Sequence, residues 1–218
     1  MVGTRSKYDT LKPITDNRIV KRLELHPVNP QIRLMKQVVA VFESGGIVIY
    51  PTDSGYSMGC YVGDKKAIHR LYHLKRHITR KVMALMFHEF SSITDFAIVE
   101  NAVYRYMNNR LPGPYTFILR ANKQGKKLLD VKREEIGVRM PQHIFFETLH
   151  TINTTPILNT AARMHPDDFY IDPDDIEEAF GNQVDLLVDM GPVPHNPTSV
   201  ISLVSGEPEL IRQGAGAF

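Results

Sequence analysis

Apolar positions along this chain alternate between two rhythms, a 3.6-residue period and short unbroken runs. Ile32, Met35, Val38, Val39 and Phe42 recur at helical spacing after Asn29-Pro30, and Gly45 follows them. Asn29 is expected to cap this helix and Pro30 to occupy its first turn. The β-branched run Ile47 to Ile49 then reads as a buried strand. A second helix is predicted from about Asp64 to His77, with Ala67, Leu71, Leu74 and Ile78 on one face and Lys66, Arg70, His73 and His77 on another. Val82 to Phe87 reads as a strand. Glu100 to Arg110 reads as a helix stopped by the turn Leu111-Pro112-Gly113-Pro114. Strands are predicted at Tyr115 to Ala121, Ile136 to Pro141 and Pro156 to Thr160, and again at Val184 to Val188, Ser199 to Leu203 and Leu210 to Ile211. Helices are predicted at Ile144 to His150 and after the cap-and-proline start Asp172-Pro173, closed by Gly181. The polar stretch Asn122 to Glu135 is expected to be a loop. Residues 1–22 show no clear period and are read as an N-terminal extension, leaving 23–218 as one domain. Helices alternating with strands predict an α/β or mixed α+β layer fold.

Composition narrows this picture. The chain has 218 residues, 43% hydrophobic, and no long Pro/Gly/Ser linker divides it, so one ordinary core is expected. The lone Cys60 excludes an internal disulfide or a cysteine-based zinc cluster and suits a reducing cytoplasm. No stretch is apolar enough to span a bilayer and the first residues carry no apolar signal core, so a cytoplasmic protein is expected. The net charge of +2 conceals a segregation: residues 1–163 hold 25 lysines and arginines against 13 acidic residues, and residues 164–218 hold 1 against 11. Either a basic surface meets phosphates or nucleic acid, or the acidic segment folds back and neutralises it.

The first candidate chemistry follows the Ile47 run. Tyr50-Pro51-Thr52-Asp53-Ser54-Gly55-Tyr56 places hydroxyls, a carboxylate and phenols at the end of a strand, where ligands of α/β proteins tend to bind. Thr52, Ser54 and Tyr56 are thus expected to look into a polar pocket; the competing reading is a plain turn. There is no glycine-rich phosphate loop, dinucleotide fingerprint or Gly-x-Ser-x-Gly elbow, so any nucleotide must be held by scattered side chains. His69, His73 and His77 have i, i+4 spacing, but Lys66 and Arg70 beside them repel a cation, and no metal site is assigned. Cys60 is either a nucleophile or buried packing. Lys123, Lys126, Lys127, Lys132 and Arg133 could track an RNA backbone or form a solvated loop, with few aromatic residues nearby for base stacking.

Six pieces in a fixed order carry a resemblance. They are Tyr50-Pro-Thr-Asp-Ser-Gly-Tyr56, the basic helix with Lys75, Pro112-Gly-Pro-Tyr-Thr116, Gly137-Val-Arg-Met-Pro141, Pro197-Thr-Ser-Val200 and Ile211-Arg-Gln-Gly214. Together they resemble the YrdC/YciO family, closest to its YciO branch, over about Glu24 to Ala215. The resemblance implies a single α/β domain with a twisted, mostly mixed sheet flanked by helices and a large concave basic cavity. It implies synthesis of L-threonylcarbamoyladenylate from ATP, L-threonine and bicarbonate, for the modification of adenosine in tRNA, with magnesium arriving on ATP. Binding of double-stranded RNA or tRNA without catalysis is the alternative. Carried over by position, Arg139 would clamp a carboxylate, Thr52, Tyr56, Thr116 and Thr160 would line the substrate site, and Lys75, Ser199 and Arg212 would hold phosphates.

The chain also departs from the synthase pattern, which pairs Lys-x-Arg with Ser-x-Asn. Here His77 stands for the arginine, Ala161 for the serine and Arg163 for the asparagine. Ala161 offers no hydroxyl, and His77 offers no fixed charge at neutral pH. Arg163 adds a cation and is read, with Lys75, as a catalytic candidate that replaces the missing arginine from the opposite wall.

Overall fold

The computed structural model describes residues 20–75, 83–128, 134–165 and 167–218. Its frame is a ten-stranded mixed sheet. The strands are β1 (Lys21–Glu24), β2 (Val48–Thr52), β3 (Gly55–Tyr61), β4 (Ala84–Met86) and β5 (Tyr115–Arg120), then β6 (Glu135–Arg139), β7 (Ile157–Ala161), β8 (Leu186–Asp189), β9 (Ser199–Ser202) and β10 (Glu209–Arg212). Their spatial order is β1-β8-β2-β3-β7-β4-β6-β5-β9-β10. Pairings β1–β8, β2–β8, β4–β6 and β5–β9 are parallel; the other five are antiparallel. The helices are α1 (Ile32–Glu43), α2 (Lys65–Leu74), α3 (Asn101–Asn108), α4 (Lys123–Leu128), α5 (Ile144–His150) and α6 (Pro173–Phe180). This is the single mixed α/β domain that the alternation of elements predicts.

Strand alternation sorts the apolar residues into two cores. On β2, Ile49 belongs to one and Val48 and Tyr50 to the other, because successive side chains point to opposite faces. The first face is covered over most of its width. Leu71 and Ile68 of α2, Met107 of α3 and Phe180 of α6 pack over Met58, Leu85, Val138, Phe117 and Ile201. The second face is covered over β2 and β8, where Met35, Val38 and Phe42 of α1 and Phe145 and Phe146 of α5 pack on Val48, Tyr50 and Leu186. Tyr50 stacks on Phe145, with ring centroids 5.4 Å apart and planes at 9°.

Beyond β2, Tyr61, Met86 and Ile157 still join this second core, but the rest of the same face carries mostly small or polar residues. Ser57 lies opposite Ala161, Asn159 opposite Ala84, and Ala84 opposite Gly137. Farther along, Thr116 lies opposite Val200, which lies opposite Arg212. Side chains this short leave a hollow where the other half of the face is filled by rings.

Several local expectations are corrected. The α1 helix has Gln31 at its N-cap with no side-chain cap; Asn29 and Pro30 precede it, and the His26 ring accepts from the Asn29 amide instead. Lys21 and Arg22, read as the end of the extension, are paired in β1. Lys123–Leu128 is a short helix rather than loop. Asn122 Oδ1 accepts from the amides of Gln124 and Gly125, while its Nδ2 donates to the carbonyls of Thr94 and Asp95. Any Cβ at position 125 would run into the Phe96 carbonyl, so the glycine that weakens the helix locally is what lets it dock. Gly55–Tyr61, where the sequence predicts no strand, is a fully buried strand.

The acidic carboxyl-terminal quarter does fold back on basic residues. Arg22 pairs with Asp174, Glu177 and Asp189, and Arg70 with Asp185 at 2.9 Å. Cys60 is fully buried, and burial pushes its thiol up to about 12, so packing is its role. No helix among the described residues is long and apolar enough to cross a membrane.

Candidate functional site

The hollow is a cavity of about 300 Å³, and Tyr56, Lys75, Thr116, Arg139, Thr160, Arg163 and Arg212 all line it. Seven of the residues expected from the sequence therefore share one concavity. Thr52 and Ser199 do not reach it, and His77 lies outside the described residues.

Thr52 is fully buried and closes the β2–β3 turn: its hydroxyl donates to the Gly55 carbonyl at 2.7 Å and accepts from the Ser54 amide at 3.1 Å. Ser54 and Tyr56 do face the cavity, so the pocket reading and the turn reading of this motif are each half right. Tyr56 presents its ring, since its phenol is committed to the Gly191 carbonyl at 2.8 Å. Ser199 turns the other way because β9 alternates. Val200 lies on the cavity side, so Thr198 shares that side and Ser199 opposes it. The Ser199 hydroxyl instead donates to the Gly216 carbonyl and accepts from the Gly214 amide, tying down the chain end. Thr198 takes the place predicted for Ser199, its hydroxyl 2.9 Å from that of Thr116, while its carbonyl accepts from Arg212 at 2.7 Å.

Arg139 is 5% exposed and donates to Asp53 Oδ1 at 2.6 Å. Asp53 Oδ2 accepts from the Gln142 amide at 3.2 Å, which fixes the carboxylate. Burial drives the Asp53 carboxyl up and the Arg139 guanidinium down, against their mutual attraction. The Arg139 Nε is itself buried and has no partner among the described residues. The guanidinium lines the cavity, and its planar donor set is suited to a carboxylate or phosphate oxygen.

Lys75 sits at the C-cap of α2 and is 2% exposed. Its Nζ donates to the carbonyls of Ala161 at 2.8 Å and Arg163 at 2.7 Å, past the end of β7. Burial, and then the Arg163 charge, bring its amine down to about 7, with Asp168 opposing. The Arg163 cation also lowers His195 and Arg212, in both cases after burial. Arg163 is thus felt by three basic groups around the same space, which is an arrangement that an anion would relieve.

Sequence reasoning missed Ser57, Asn159, Phe169, Tyr170, His195 and Thr198, which also line the cavity. Asn159 is 3% exposed and accepts from the Tyr50 phenol at 2.9 Å. That contact requires glycine at 59, where a Cβ would lie 2.7 Å from the Tyr50 oxygen. Had β3 been recognised as a strand, alternation would have placed Ser57 opposite Ala161 on the cavity side. Among the described residues, no group of three or more His, Cys, Asp or Glu side chains could hold a metal ion.

A half-covered mixed sheet whose open half forms a cation-lined cavity defines a single mixed α/β domain with a basic concavity. The Sua5/YciO/YrdC family model, described as "Telomere recombination", matches residues 40–214, and the chain belongs to that family. It is 36% identical over 194 residues to the uncharacterized protein YciO of Escherichia coli K12, covering 88% of this chain and 94% of YciO. The crystal structure of E. coli YciO superposes with a TM-score of 0.83 at 35% identity, over 91% of this chain and 98% of that one. P. abyssi Sua5, solved in complex with L-threonine, matches with a TM-score of 0.79 at 19% identity, over 90% of this chain and 57% of Sua5. Full-length HypF in a phosphate- and nucleotide-bound form matches at 0.69 and 20% identity, over 83% of this chain and 29% of HypF. The last two establish the shared fold.

Proposed function

We propose that the cavity binds ATP and an amino acid together and forms L-threonylcarbamoyladenylate from ATP, L-threonine and bicarbonate, releasing pyrophosphate and water, in the service of tRNA modification. The observation that carries this reading is the convergence of Lys75, Arg139, Arg163 and Arg212 on one cavity of about 300 Å³. Attack of a carbamate oxygen on the α-phosphorus needs charge stabilisation and in-line positioning, with little covalent work by the protein. Arg163 and Arg212 supply charge for the phosphates. Arg139, oriented by Asp53, has a donor edge for the amino-acid carboxylate, and Thr116 and Thr198 offer hydroxyls beside it. Lys75, held by two backbone carbonyls, gains a proton as phosphate arrives. Magnesium comes with the triphosphate. The L-threonine held by Sua5 supports threonine as the amino acid, and the phosphate and nucleotide held by HypF, of which this fold spans 29%, are in keeping with a nucleotide ligand.

The test is release of pyrophosphate from ATP in the presence of L-threonine and bicarbonate. Turnover is expected, and Arg163→Ala is expected to slow it about a hundredfold, as for loss of one charge-stabilising donor. Unchanged turnover in that variant removes Arg163 from the account. Absence of turnover, combined with binding of duplex RNA on a steep salt slope, replaces the enzyme reading by the RNA-binding module.

A further inference from the structure

One ring at this cavity is exposed in a way that packing does not explain. Phe169 is 56% exposed although its neighbours on both sides are anchored. Asp168 accepts from the amides of Met164 and His165 at 3.1 and 2.7 Å and from the Tyr170 phenol at 3.1 Å. The Tyr170 ring packs edge-on against buried Phe180, with centroids 5.7 Å apart. The segment is thus fixed on either side of Phe169, and the fixing turns its ring outward. The ring meets the His195 imidazole at a tilt, with centroids 4.3 Å apart and planes at 45°, and more than half of Phe169 stays open to solvent. Both residues line the cavity alongside Arg163 and Arg212.

An aromatic ring held open beside a cluster of cations is the pairing a nucleotide presents in reverse, a flat base joined to phosphates. A phosphate without a base would use only the cations. We infer that Phe169, backed by His195, is a stacking platform for the nucleobase of the bound nucleotide, the purine ring lying on its open surface while the phosphates meet Arg163 and Arg212. The inference rests on the nucleotide reading above and adds where the base goes. Burial, then the charges of Arg163 and Arg212, lower the His195 pKa, so the imidazole supporting Phe169 is neutral at physiological pH. A neutral ring does not compete with the arginines for phosphate. Stacking uses a π-face that every base possesses, so ATP and GTP are expected to bind alike, both tighter than CTP.

Calorimetric titration of the full chain with ATP and with inorganic tripolyphosphate separates base from phosphates. The unaltered protein is expected to prefer ATP. Phe169→Ala is expected to weaken ATP by about 5- to 150-fold, the range for loss of one base–aromatic stack, and to leave tripolyphosphate within about twofold. Phe169→Trp is expected to restore ATP affinity. Because the side chain is exposed, neither substitution threatens folding. An ATP-to-tripolyphosphate preference unchanged by Phe169→Ala overturns the platform while the nucleotide reading stands. Failure of both ligands to bind the unaltered protein overturns both.

Discussion

The two halves of one sheet face differ in a single respect, the size of the side chains on it. Over β2 and β8 the face carries Val48, Tyr50 and Leu186, and α1 and α5 seal it with Phe42, Phe145 and Phe146. Past Met86 and Ile157, which still belong to the sealed core, β7, β4, β6 and β5 carry Ala161, Ala84, Gly137 and Thr116, and the face stays open. A helix can only be held where there is apolar area to bury against it, so residue size decides both where the layer ends and where the cavity begins. The phenol of Tyr50 marks the frontier: its ring belongs to the sealed half and its oxygen reaches Asn159 in the open half.

The largest effect is expected where the sealed half is broken. Phe145 is fully buried between Tyr50 and Phe146, both with centroids within 5.4 Å. Phe145→Ala leaves a cavity that stacked rings cannot collapse to fill, and should cost about 3–5 kcal/mol in denaturant unfolding. A loss under about 1 kcal/mol would mean that α5 is dispensable and that the contrast between the halves is not one of packing.

Lys75 provides a smaller and pH-dependent break at the open half. Its amine is brought down to about 7 in the fold, against roughly 10.4 in an unfolded chain. Between those values the unfolded state binds more protons, so stability rises with pH across the window by at most about 1.4 kcal/mol per unit. Below about pH 7 both states hold the proton and the whole penalty for charging the buried amine is present. Lys75→Met should flatten this rise in unfolding curves taken from pH 7 to 10. Superimposable profiles for the two proteins would show that the amine is solvated rather than confined.

The sealed half was the more legible one. Helical spacing of Met35, Val38, Val39 and Phe42 and the run at Ile47 found α1 and β2 because both are written in large apolar residues. The open half was harder because its defining strand, β3, reads Gly-Tyr-Ser-Met-Gly-Cys-Tyr, buried on both faces and without a polar–apolar beat. Missing β3 hid Ser57, and with it the row of small residues that makes the hollow. Motif order was strong enough to bring Lys75, Arg139 and Arg212 forward, because their cavity is assembled from strand ends far apart in sequence. It could not separate Thr198 from Ser199, a choice of strand phase, nor find Phe169 and His195, whose meeting at 4.3 Å depends on two loops.

The smallest effect on the fold, and a sharp one on the ligand, is expected from enlarging the open half. Ala161 lies opposite Ser57 and lines the cavity, and the interaction it makes with Lys75 uses its backbone carbonyl, which a new side chain leaves in place. Ala161→Leu adds three carbons into a space of about 300 Å³ rather than into packed atoms. Stability should therefore move by less than about 1 kcal/mol, unlike the overpacking of a true core. Binding of ATP should nevertheless weaken more than about tenfold, because the added carbons occupy volume that phosphates need and place apolar surface beside their charge. If Ala161→Leu unfolds the protein as Phe145→Ala does, the two halves are packed alike and the hollow is not an intrinsic feature of the sheet. If it is stable and binds ATP as before, the nucleotide lies elsewhere than over the small-residue row, and residue size along that face does not set the site.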